Sequence, residues 1–219
     1  MAFAVSGVLN LRVTVYVDGF NLYYRALSKT SHKWLDLHKL ATGLLNPDDE
    51  ITAIKYYTAR VSGRTDPDQP RRQQAYLNAL KTLPNVSIYY GRFLSKTKWR
   101  PLVNPPDYGS TFVEVYDTEE KGSDVNLAAH LIHDGWKKSY DAALVMSQDS
   151  DLQEPLTIVK KELKKTIGLV WLDGQKPSRQ MTKAVSFVRQ LTHARLSAAQ
   201  LPDQLMGRDG HIVRKPEGW

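Results

Sequence analysis

Runs of β-branched and apolar residues alternate along the chain with segments whose apolar residues recur at helical spacing. The runs at 13–17 and at Ala142–Met146 have almost no polar position, which is typical of strands buried on both faces. Segments such as 123–138 have the spacing of amphipathic helices. Strands that alternate with helices predict an α/β fold, in which helices cover both faces of a mostly parallel sheet.

The same spacing, interrupted by glycine and proline, predicts the remaining elements. The stretch 95–110 holds three prolines and keeps no regular period, so it predicts a loop or a protruding ribbon. The run 167–172 is expected to close the core sheet. Further helices are expected at 20–27, 35–45, 71–83, 152–165 and 180–190, and further strands at 51–61, 86–94 and 111–116.

The pattern divides the chain into three parts. Residues 1–12 precede the first strand and lack the basic start of a signal sequence, so they are expected to be a flexible leader. Residues 13–195 hold the periodic segments and are expected to form one domain, since domains of this length occur as single units. The tail at 196–219 contains several prolines and glycines and is expected to pack on the domain as irregular coil.

Composition excludes several classes of function. The chain has no cysteine, which rules out disulfides, thiolate catalysis and zinc sites of the cysteine type. No apolar stretch approaches the roughly 20 residues needed to span a bilayer, so we expect a cytoplasmic protein without a membrane partner. The net charge is +7, from 30 Lys and Arg against 23 Asp and Glu, and this excess favours a polyanionic partner.

Four aspartates lie where strands end or helices begin. Asp18 directly follows the first strand, Asp149 and Asp151 follow the later buried strand, and Asp124 lies in the first turn of a helix. In an open α/β sheet such positions meet beyond the carboxyl ends of the strands. Clustered carboxylates repel one another unless a cation neutralises them, and their oxygen atoms suit Mg²⁺ or Mn²⁺. The pattern therefore indicates a metal-dependent phosphodiester site.

Each aspartate taken singly has a structural explanation. Asp18 is suited to cap the helix that follows it, and Asp151 with Glu154 fits a capping box. Asp124 carries a negative charge in a first helical turn, where such a charge is favourable without a further role. Capping accounts for one acid per helix start, however, and does not explain why Asp149 and Asp151 both follow one buried strand.

Three blocks of sequence resemble the signature blocks of NYN domains, which belong to the PIN-like superfamily of metal-dependent nucleases. The blocks are Asp18-Gly19-Phe20-Asn21-Leu22-Tyr23, Lys121-Gly122-Ser123-Asp124-Val125-Asn126 and Ser147-Gln148-Asp149-Ser150-Asp151-Leu152. The resemblance covers roughly residues 13–195 and is greatest to the bacterial LabA-like branch. It implies a PIN-like, Rossmann-like three-layer α/β/α sandwich with the acids at the carboxyl edge of the sheet.

The resemblance also implies roles for individual residues. Asn21 falls on the family's Asn after the first acid and is expected to orient an acid, a water or a phosphate oxygen; an ordinary bond to the backbone is the alternative. Lys121 is expected to pair with an acid or a substrate phosphate, unless it is simply a solvated surface group. The expected ligands of one or two Mg²⁺ or Mn²⁺ ions are Asp18, Asp124, Asp149 and Asp151.

The activity implied is that of a metal-dependent endoribonuclease. A water on one metal, deprotonated with help from Asp149 or Asp151, would attack the phosphorus in line, while a second metal stabilises the departing 3′ oxygen. Single-stranded RNA is the expected substrate, with single-stranded DNA as a further candidate, because basic groups beside an aromatic ring suit a single strand. The candidate substrate-binding residues are Arg60, Arg64, Arg71, Arg72, Lys96, Lys98, Trp99, Arg100 and Lys121.

Two other classes of function stay open. A metal-dependent phosphatase or small-molecule phosphoesterase of the haloacid-dehalogenase type also begins with an Asp after its first strand, but it needs a second acid two residues later, where this chain has Phe20. A non-catalytic RNA-binding adaptor with a vestigial site is the other alternative. Against it, clustered carboxylates without a metal are destabilising. The pattern leaves the oligomeric state open, with a homodimer among the options.

Overall fold

Six parallel strands form the central sheet of the computed structural model, which describes residues 10–64, 66–175 and 177–219. In chain order the strands are β1 (Arg12–Asp18), β2 (Glu50–Thr58), β3 (Val86–Tyr90), β4 (Arg92–Pro101), β5 (Phe112–Lys121), β6 (Ala142–Met146), β7 (Thr166–Trp171), β8 (Phe187–Gln190), β9 (Gln204–Met206) and β10 (Ile212–Arg214). The order in the sheet is β3-β2-β1-β6-β7-β8, and every neighbouring pair is parallel.

Helices cover both faces of this sheet. They are α1 (Gly19–Leu22), which continues into a π-helical turn at Tyr23–Leu27, then α2 (Leu37–Thr42), α3 (Gln69–Leu80), α4 (Ser123–Trp136), α5 (Gln153–Lys161), α6 (Arg179–Ala184) and α7 (His193–Ala198). One core cluster joins α2, α3 and α7 to the sheet, and a second joins α4, α5 and α6 to the opposite face. The three-layer α/β/α sandwich is therefore confirmed.

The strand order places a crevice between β1 and β6. From β1 the chain proceeds outward through β2 to β3, whereas from β6 it proceeds in the other direction through β7 to β8. The helices after β1 and β6 thus leave toward opposite sides of the sheet, and such a switch point opens a ligand crevice at the carboxyl ends of the strands. Val17 pairs with Met146 in this register, so the residues after each strand emerge side by side.

Two predicted elements differ from the structure at the edges of the domain. The run 167–172 was expected to close the sheet, but β7 is followed by α6 and then by β8, which pairs with β7 and forms the true edge. A single helix at 180–190 is therefore wrong, because only Arg179–Ala184 is helical. The strand β8 has only four residues, which is too short to show a period of its own.

The stretch expected to be a loop or a ribbon is a ribbon. β4 and β5 pair antiparallel along ten residues each, from Arg92 opposite Lys121 to Pro101 opposite Phe112. The ribbon strands continue well beyond the predicted strand ends. The sequence pattern does not show this, because most residues of these strands are exposed and no face of the ribbon is buried. It stands apart from the central sheet as a two-stranded sheet of its own.

The two ends of the chain add little to the central sheet. Most of the expected leader lies outside the described residues, and β1 already begins at Arg12. The tail is not wholly irregular, since β9 and β10 form a short hairpin. Trp34 donates its indole N–H to the Pro202 carbonyl at 2.8 Å, which ties the tail to the body. In the described part of the chain no helix is long and apolar enough to cross a membrane.

Candidate functional site

Asp18 lies at the carboxyl end of β1, where the strand passes directly into α1. Its carboxylate caps α1 by accepting the Asn21 backbone N–H at 3.0 Å, and it also accepts the Ser147 hydroxyl at 2.9 Å. The residue is 4% exposed. Burial raises the pKa of Asp18 above its usual value in spite of these two hydrogen bonds. The predicted capping role is confirmed, and burial still disfavours the charged form of this carboxylate.

Gly19 allows α1 to start this close to β2. A Cβ at Gly19 would lie 2.5 Å from Cζ of Tyr56 and 2.7 Å from the Tyr57 carbonyl oxygen. No other residue type fits in that space without movement of the backbone. The glycine after Asp18 therefore fixes the position of the first helix, and with it the direction of Asn21.

Asn21 connects the first and third sequence blocks. Its side-chain oxygen accepts the Gln148 backbone N–H at 3.0 Å, so α1 is bonded to the loop after β6. The Gln148 side chain in turn accepts the backbone N–H groups of Leu172 and Asp173, at 2.7 and 2.9 Å. Asn21 thus connects the ends of β1 and β6 through a bond to the backbone, which is the alternative to its predicted role, and the orientation of an acid, a water or a phosphate oxygen stays a prediction.

Asp149 and Asp151 occupy a tight turn after β6. The Asp149 backbone N–H donates to the Ser147 hydroxyl at 3.1 Å, and the Asp149 carboxylate accepts the Asp151 N–H at 2.9 Å. Asp149 caps the short 3₁₀ turn Ser150–Leu152 that precedes α5, so the cap is Asp149 and not the predicted Asp151. Ser147 bonds to both Asp18 and Asp149, and its hydroxyl therefore holds these two acids next to each other.

Asp124 approaches the same place from the other side of the crevice. It lies in the first turn of α4, which begins after Gly122 with a φ of 102°. That left-handed conformation suits glycine and turns the chain sharply from β5 into the helix. Burial, followed by the charges of Asp18 and Asp149, raises the pKa of Asp124 to about 6. A pKa raised by neighbouring acids in a cleft is typical of a functional site.

These acids face one open cleft at the carboxyl edge of the sheet. It encloses about 700 Å³ including its mouth, and it is lined by Asp18, Phe20, Asn21, Tyr24, Phe93, Glu120, Ser123, Asp124 and Asp149. Three of the four predicted aspartates therefore lie together. Asp151 is exposed and does not line the cleft, although its charge contributes to the raised pKa of Asp124.

Glu120 is a cleft residue that the sequence analysis missed. It lies at the end of β5, and its carboxylate accepts the Ser123 hydroxyl at 2.6 Å and the Ser123 N–H at 3.2 Å. Glu120 therefore caps the start of α4. It directly precedes the sequence block that begins at Lys121. The signal that could have found it is the pair Glu119-Glu120 directly before that block. The pair lies within a strand-like alternation of residues, where two acids do not stand out.

The donor set of the cleft fits a hard divalent cation. Carboxylate oxygens are the ligands that Mg²⁺ and Mn²⁺ prefer, and a bound cation would relieve the repulsion that raises the pKa of Asp124. Among the described residues no group of three acidic or histidine side chains already has the spacing of a formed ion site. The residues that would hold the ion are Asp18, Asp124 and Asp149, with Glu120 beside them.

Lys121 and the basic residues of the ribbon are largely paired with acids. Lys121 is exposed, lies outside the cleft lining and contacts Glu119 at 2.7 Å. Lys98 pairs with Asp117 and Glu119, and Arg100 lies 3.6 Å from Asp117. Arg92 and Lys96 form no ion pair within the described part of the chain, and Trp99 is 64% exposed.

The arginines around the loop after β2 do not form a single patch. Arg60 stacks over Tyr90 at 4.9 Å, and Arg64 stacks over Tyr116 of the ribbon at 4.4 Å. Arg71 lies in a groove beside the tail. Arg72 pairs with Asp66 and lines a separate aromatic cavity next to the acidic cleft. Arg71 and Arg72 both line the groove beside the tail, whereas Arg60 and Arg64 lie against other aromatic rings, and the roles of all four stay predictions.

The fold of this chain is similar to that of a protein with a solved structure. A solved structure of a protein of unknown function, VPA0982 from Vibrio parahaemolyticus RIMD 2210633, superposes with a TM-score of 0.53 at 14% identity, covering 88% of this chain and 97% of that one. This likeness bears on the fold alone.

One protein that is similar in sequence is named as a monooxygenase. The protein 6-hydroxy-3-succinoylpyridine 3-monooxygenase HspA, from Pseudomonas putida (strain DSM 28022 / S16), is 30% identical over 240 aligned positions, which cover 95% of this chain and 75% of that protein. The family model for the NYN domain, a nuclease-like family, matches residues 12–190. The narrower LabA-like assignment stays a prediction. The chain therefore belongs to the NYN domain family.

Proposed function

We propose that this protein is a metal-dependent endoribonuclease that hydrolyses single-stranded RNA in the acidic cleft. The observation that carries the proposal is that Asp18, Asp124 and Asp149, from three separate blocks of sequence, line one open cleft at the switch point of the sheet. Membership of the NYN domain family supports a nuclease, and the net charge of +7 supports an anionic substrate.

A divalent cation, Mg²⁺ or Mn²⁺, would supply charge neutralisation and a more acidic water in this cleft. The chain's own residues prepare the place for the reaction. The Ser147 hydroxyl donates to the Asp18 carboxylate and accepts the Asp149 backbone N–H, and Asn21 bonds α1 to the loop after β6. Burial and the charges of Asp18 and Asp149 raise the pKa of Asp124 to about 6 without a cation, and a bound cation would lower that pKa and keep the carboxylate ionised to hold the ion.

Cleavage of end-labelled single-stranded RNA tests this proposal. The purified protein is incubated with Mg²⁺, with Mn²⁺ and with a chelator, beside Asp149→Asn and the control Asp203→Asn. Asp203 is a matched control because its side chain is 84% exposed and lies in the tail. We expect cutting with a divalent cation that the chelator and Asp149→Asn each reduce at least about 100-fold, in line with loss of a charged catalytic group.

Two results would count against the ribonuclease. One is an equal rate of RNA cleavage by Asp149→Asn and Asp203→Asn, which would point to a contaminating enzyme. The other is metal-independent RNA binding without cutting, which would favour the RNA-binding adaptor. End analysis of the products separates the expected 5′-phosphate and 3′-hydroxyl from other mechanisms. A parallel incubation with single-stranded DNA measures whether the cleft requires the 2′-hydroxyl.

A second candidate function comes from the sequence relative. HspA is named a 3-monooxygenase of 6-hydroxy-3-succinoylpyridine, and it aligns with 95% of this chain. A monooxygenase places one atom of O₂ in its substrate and reduces the other to water with two electrons from a reductant. The test is incubation with this pyridine, NADH and air, following NADH oxidation and O₂ uptake. O₂ uptake that depends on the pyridine would favour this candidate, and the absence of such uptake would eliminate it.

A further inference from the structure

A second cavity adjoins the acidic cleft, and no role has yet been given to it. It lies between α1, the π-helical turn, β2 and α3, encloses about 620 Å³ including its mouth, and shares Phe20 and Tyr24 with the cleft. We call it the aromatic slot.

Six aromatic rings line the aromatic slot: Phe20, Tyr23, Tyr24, Tyr56, Tyr76 and Trp219. They form two groups of rings in contact. Phe20 stacks on Tyr24 with centroids 6.3 Å apart, and Tyr76 lies edge-on to Tyr56 at 6.2 Å. Aromatic faces bind another planar ring, such as a nucleobase, by stacking.

Tyr56 presents a buried polar group to this slot. Its side chain is 6% exposed, and its hydroxyl end lies against Gly19 at the start of α1. Burial and the nearby charge of Asp18 raise the pKa of Tyr56. A tyrosine hydroxyl in the wall of a cavity can donate a hydrogen bond to a polar atom of an occupant or accept one from it.

Positive charge lies on the opposite side of the slot. Lys33 lines it and forms no ion pair within the described part of the chain. Arg72 also lines it and is paired with Asp66 through one nitrogen, which leaves its other N–H groups directed elsewhere. A slot with aromatic walls and two cations suits a ring that carries an anionic group.

We propose that the aromatic slot binds a planar heteroaromatic ring bearing an anionic group, with the ring between the tyrosines and the anion at Lys33 and Arg72. Two sources share this chemistry: a nucleotide, whose base would enter the slot while its strand crosses Phe20 and Tyr24 toward the acids, and a free heteroaromatic acid. The proposal depends on the slot alone, so it holds whether or not the acidic cleft cuts RNA.

Quenching of intrinsic tryptophan fluorescence measures the binding, because Trp219 lines the slot. The probes are AMP, UMP, nicotinate and ribose 5-phosphate, each titrated into the full chain in the presence of a chelator. We expect a ring with an anion to bind at least about 10-fold more tightly than ribose 5-phosphate, which has the anion without the ring. The chelator prevents turnover, so failure here and failure of the ribonuclease are separate results.

Variants on the positive side of the slot locate the binding. Arg72→Gln and Lys33→Gln should each weaken the tighter ring probe about 5-fold or more. Arg71→Gln is the matched control, since Arg71 is the adjacent arginine on α3 and does not line the slot. Tyr56→Phe removes only the hydroxyl and should weaken binding a few-fold while leaving the fold intact.

Tighter binding of AMP or UMP assigns the slot to a nucleic-acid base, and tighter binding of nicotinate assigns it to a free heteroaromatic acid. Both results support the slot. The proposal is overturned if no ring probe binds below the millimolar range. It is equally overturned if Arg72→Gln and Arg71→Gln weaken binding to the same extent, because the anion would then lie outside the slot.

Discussion

At the scale of single residues, the site depends on small groups that hold the acids in place. Ser147 bonds to both Asp18 and Asp149, and Gly19 lets α1 approach β2 without a steric clash. None of these contacts is visible as a pattern along the chain. The acids themselves are destabilised by the arrangement, since burial raises the pKa of both Asp18 and Asp124.

The raised pKa of Asp124 predicts a pH-dependent effect of Asp124→Asn on stability. In the folded state the pKa of this carboxyl is about 6, whereas in the unfolded chain it lies near its ordinary value of 3.8. Stability is therefore lost as the pH rises between these values. Asn is never charged, so the variant should be more stable at pH 7 by roughly 1–2 kcal/mol after discounting for partial exposure.

Urea unfolding in a chelator at pH 4 and pH 7 measures this effect. The gain should be much smaller at pH 4, because the folded-state carboxyl is then protonated and the unfolded-state carboxyl is only partly ionised. Asp203→Asn, which changes an 84% exposed side chain, should leave the free energy of unfolding unchanged at both pH values. If Asp124→Asn and the wild-type protein were equally stable at pH 7, Asp124 would be fully solvated in the folded protein.

A methyl group at position 19 should destabilise the protein. The Cβ in Gly19→Ala would meet Cζ of Tyr56 at 2.5 Å and the backbone oxygen of Tyr57 at 2.7 Å, and a backbone oxygen moves only with its strand. We expect a loss of about 1–3 kcal/mol in the free energy of unfolding. Gly174→Ala is the control, because nothing lies within 4 Å of its added Cβ. Equal melting temperatures for the two variants would contradict the steric argument.

At the scale of elements, the β4–β5 ribbon is the feature that the hydrophobic pattern describes least well. It projects from the domain as a separate sheet and exposes large side chains, among them Trp99 and Tyr116. Its basic residues are balanced by acids of the opposite strand, so the ribbon offers stacking surfaces more than net positive charge. Its base, at Phe93 and Glu120, forms part of the acidic cleft.

Shortening the ribbon should weaken RNA binding without changing the charge of the protein. Residues 97–116 contain two cations, Lys98 and Arg100, and two acids, Asp107 and Glu114, so replacing them with Asn-Gly leaves the net charge at +7. Loss of the exposed rings should reduce affinity for single-stranded RNA about 5- to 30-fold. The slope of affinity against salt concentration should stay the same, because phosphate contacts set that slope.

Filter binding at several salt concentrations, beside a melting curve, tests the ribbon. The melting temperature should change by no more than about 3 °C, since most of the removed side chains are exposed. A shallower salt slope in the shortened protein would mean that the ribbon contributes phosphate contacts. An unchanged affinity would remove the ribbon from the RNA-binding surface.

At the scale of the whole molecule, a basic protein surrounds an acidic cleft. The chain carries +7 overall, while the carboxylates of three sequence blocks meet at one edge of the sheet. A surface of this kind draws polyanions toward the protein, and a cation in the cleft would let their phosphates approach the acids. The oligomeric state and the cytoplasmic location stay predictions.

Divalent cations should stabilise the folded protein through the cleft. A ligand that binds only the native state at about 100 times its Kd adds about 2.7 kcal/mol, and for a domain of this size that corresponds to several degrees in Tm. We therefore expect Mn²⁺ or Mg²⁺ at millimolar concentration to raise the Tm by about 3–8 °C relative to a chelator. Asp149→Asn should lose most of this shift, and Asp203→Asn should keep it.

This measurement does not depend on any substrate. If neither cation changes the melting temperature of the wild-type protein, the acids do not hold a metal in the free protein. If the shift persists in Asp149→Asn, the cation binds elsewhere.

The sequence by itself determined the alternation of strands and helices, the parallel sheet and three aspartates of the cleft. These features have a local cause, since a strand buried on both faces must be apolar and an acid at its end follows directly in the chain. Only the tertiary structure decided that Glu120 joins the cleft, that Asp151 does not line it, and that the predicted basic residues lie outside its lining. Those outcomes depend on contacts between residues distant in sequence, such as that of Arg64 with Tyr116, which no local pattern encodes.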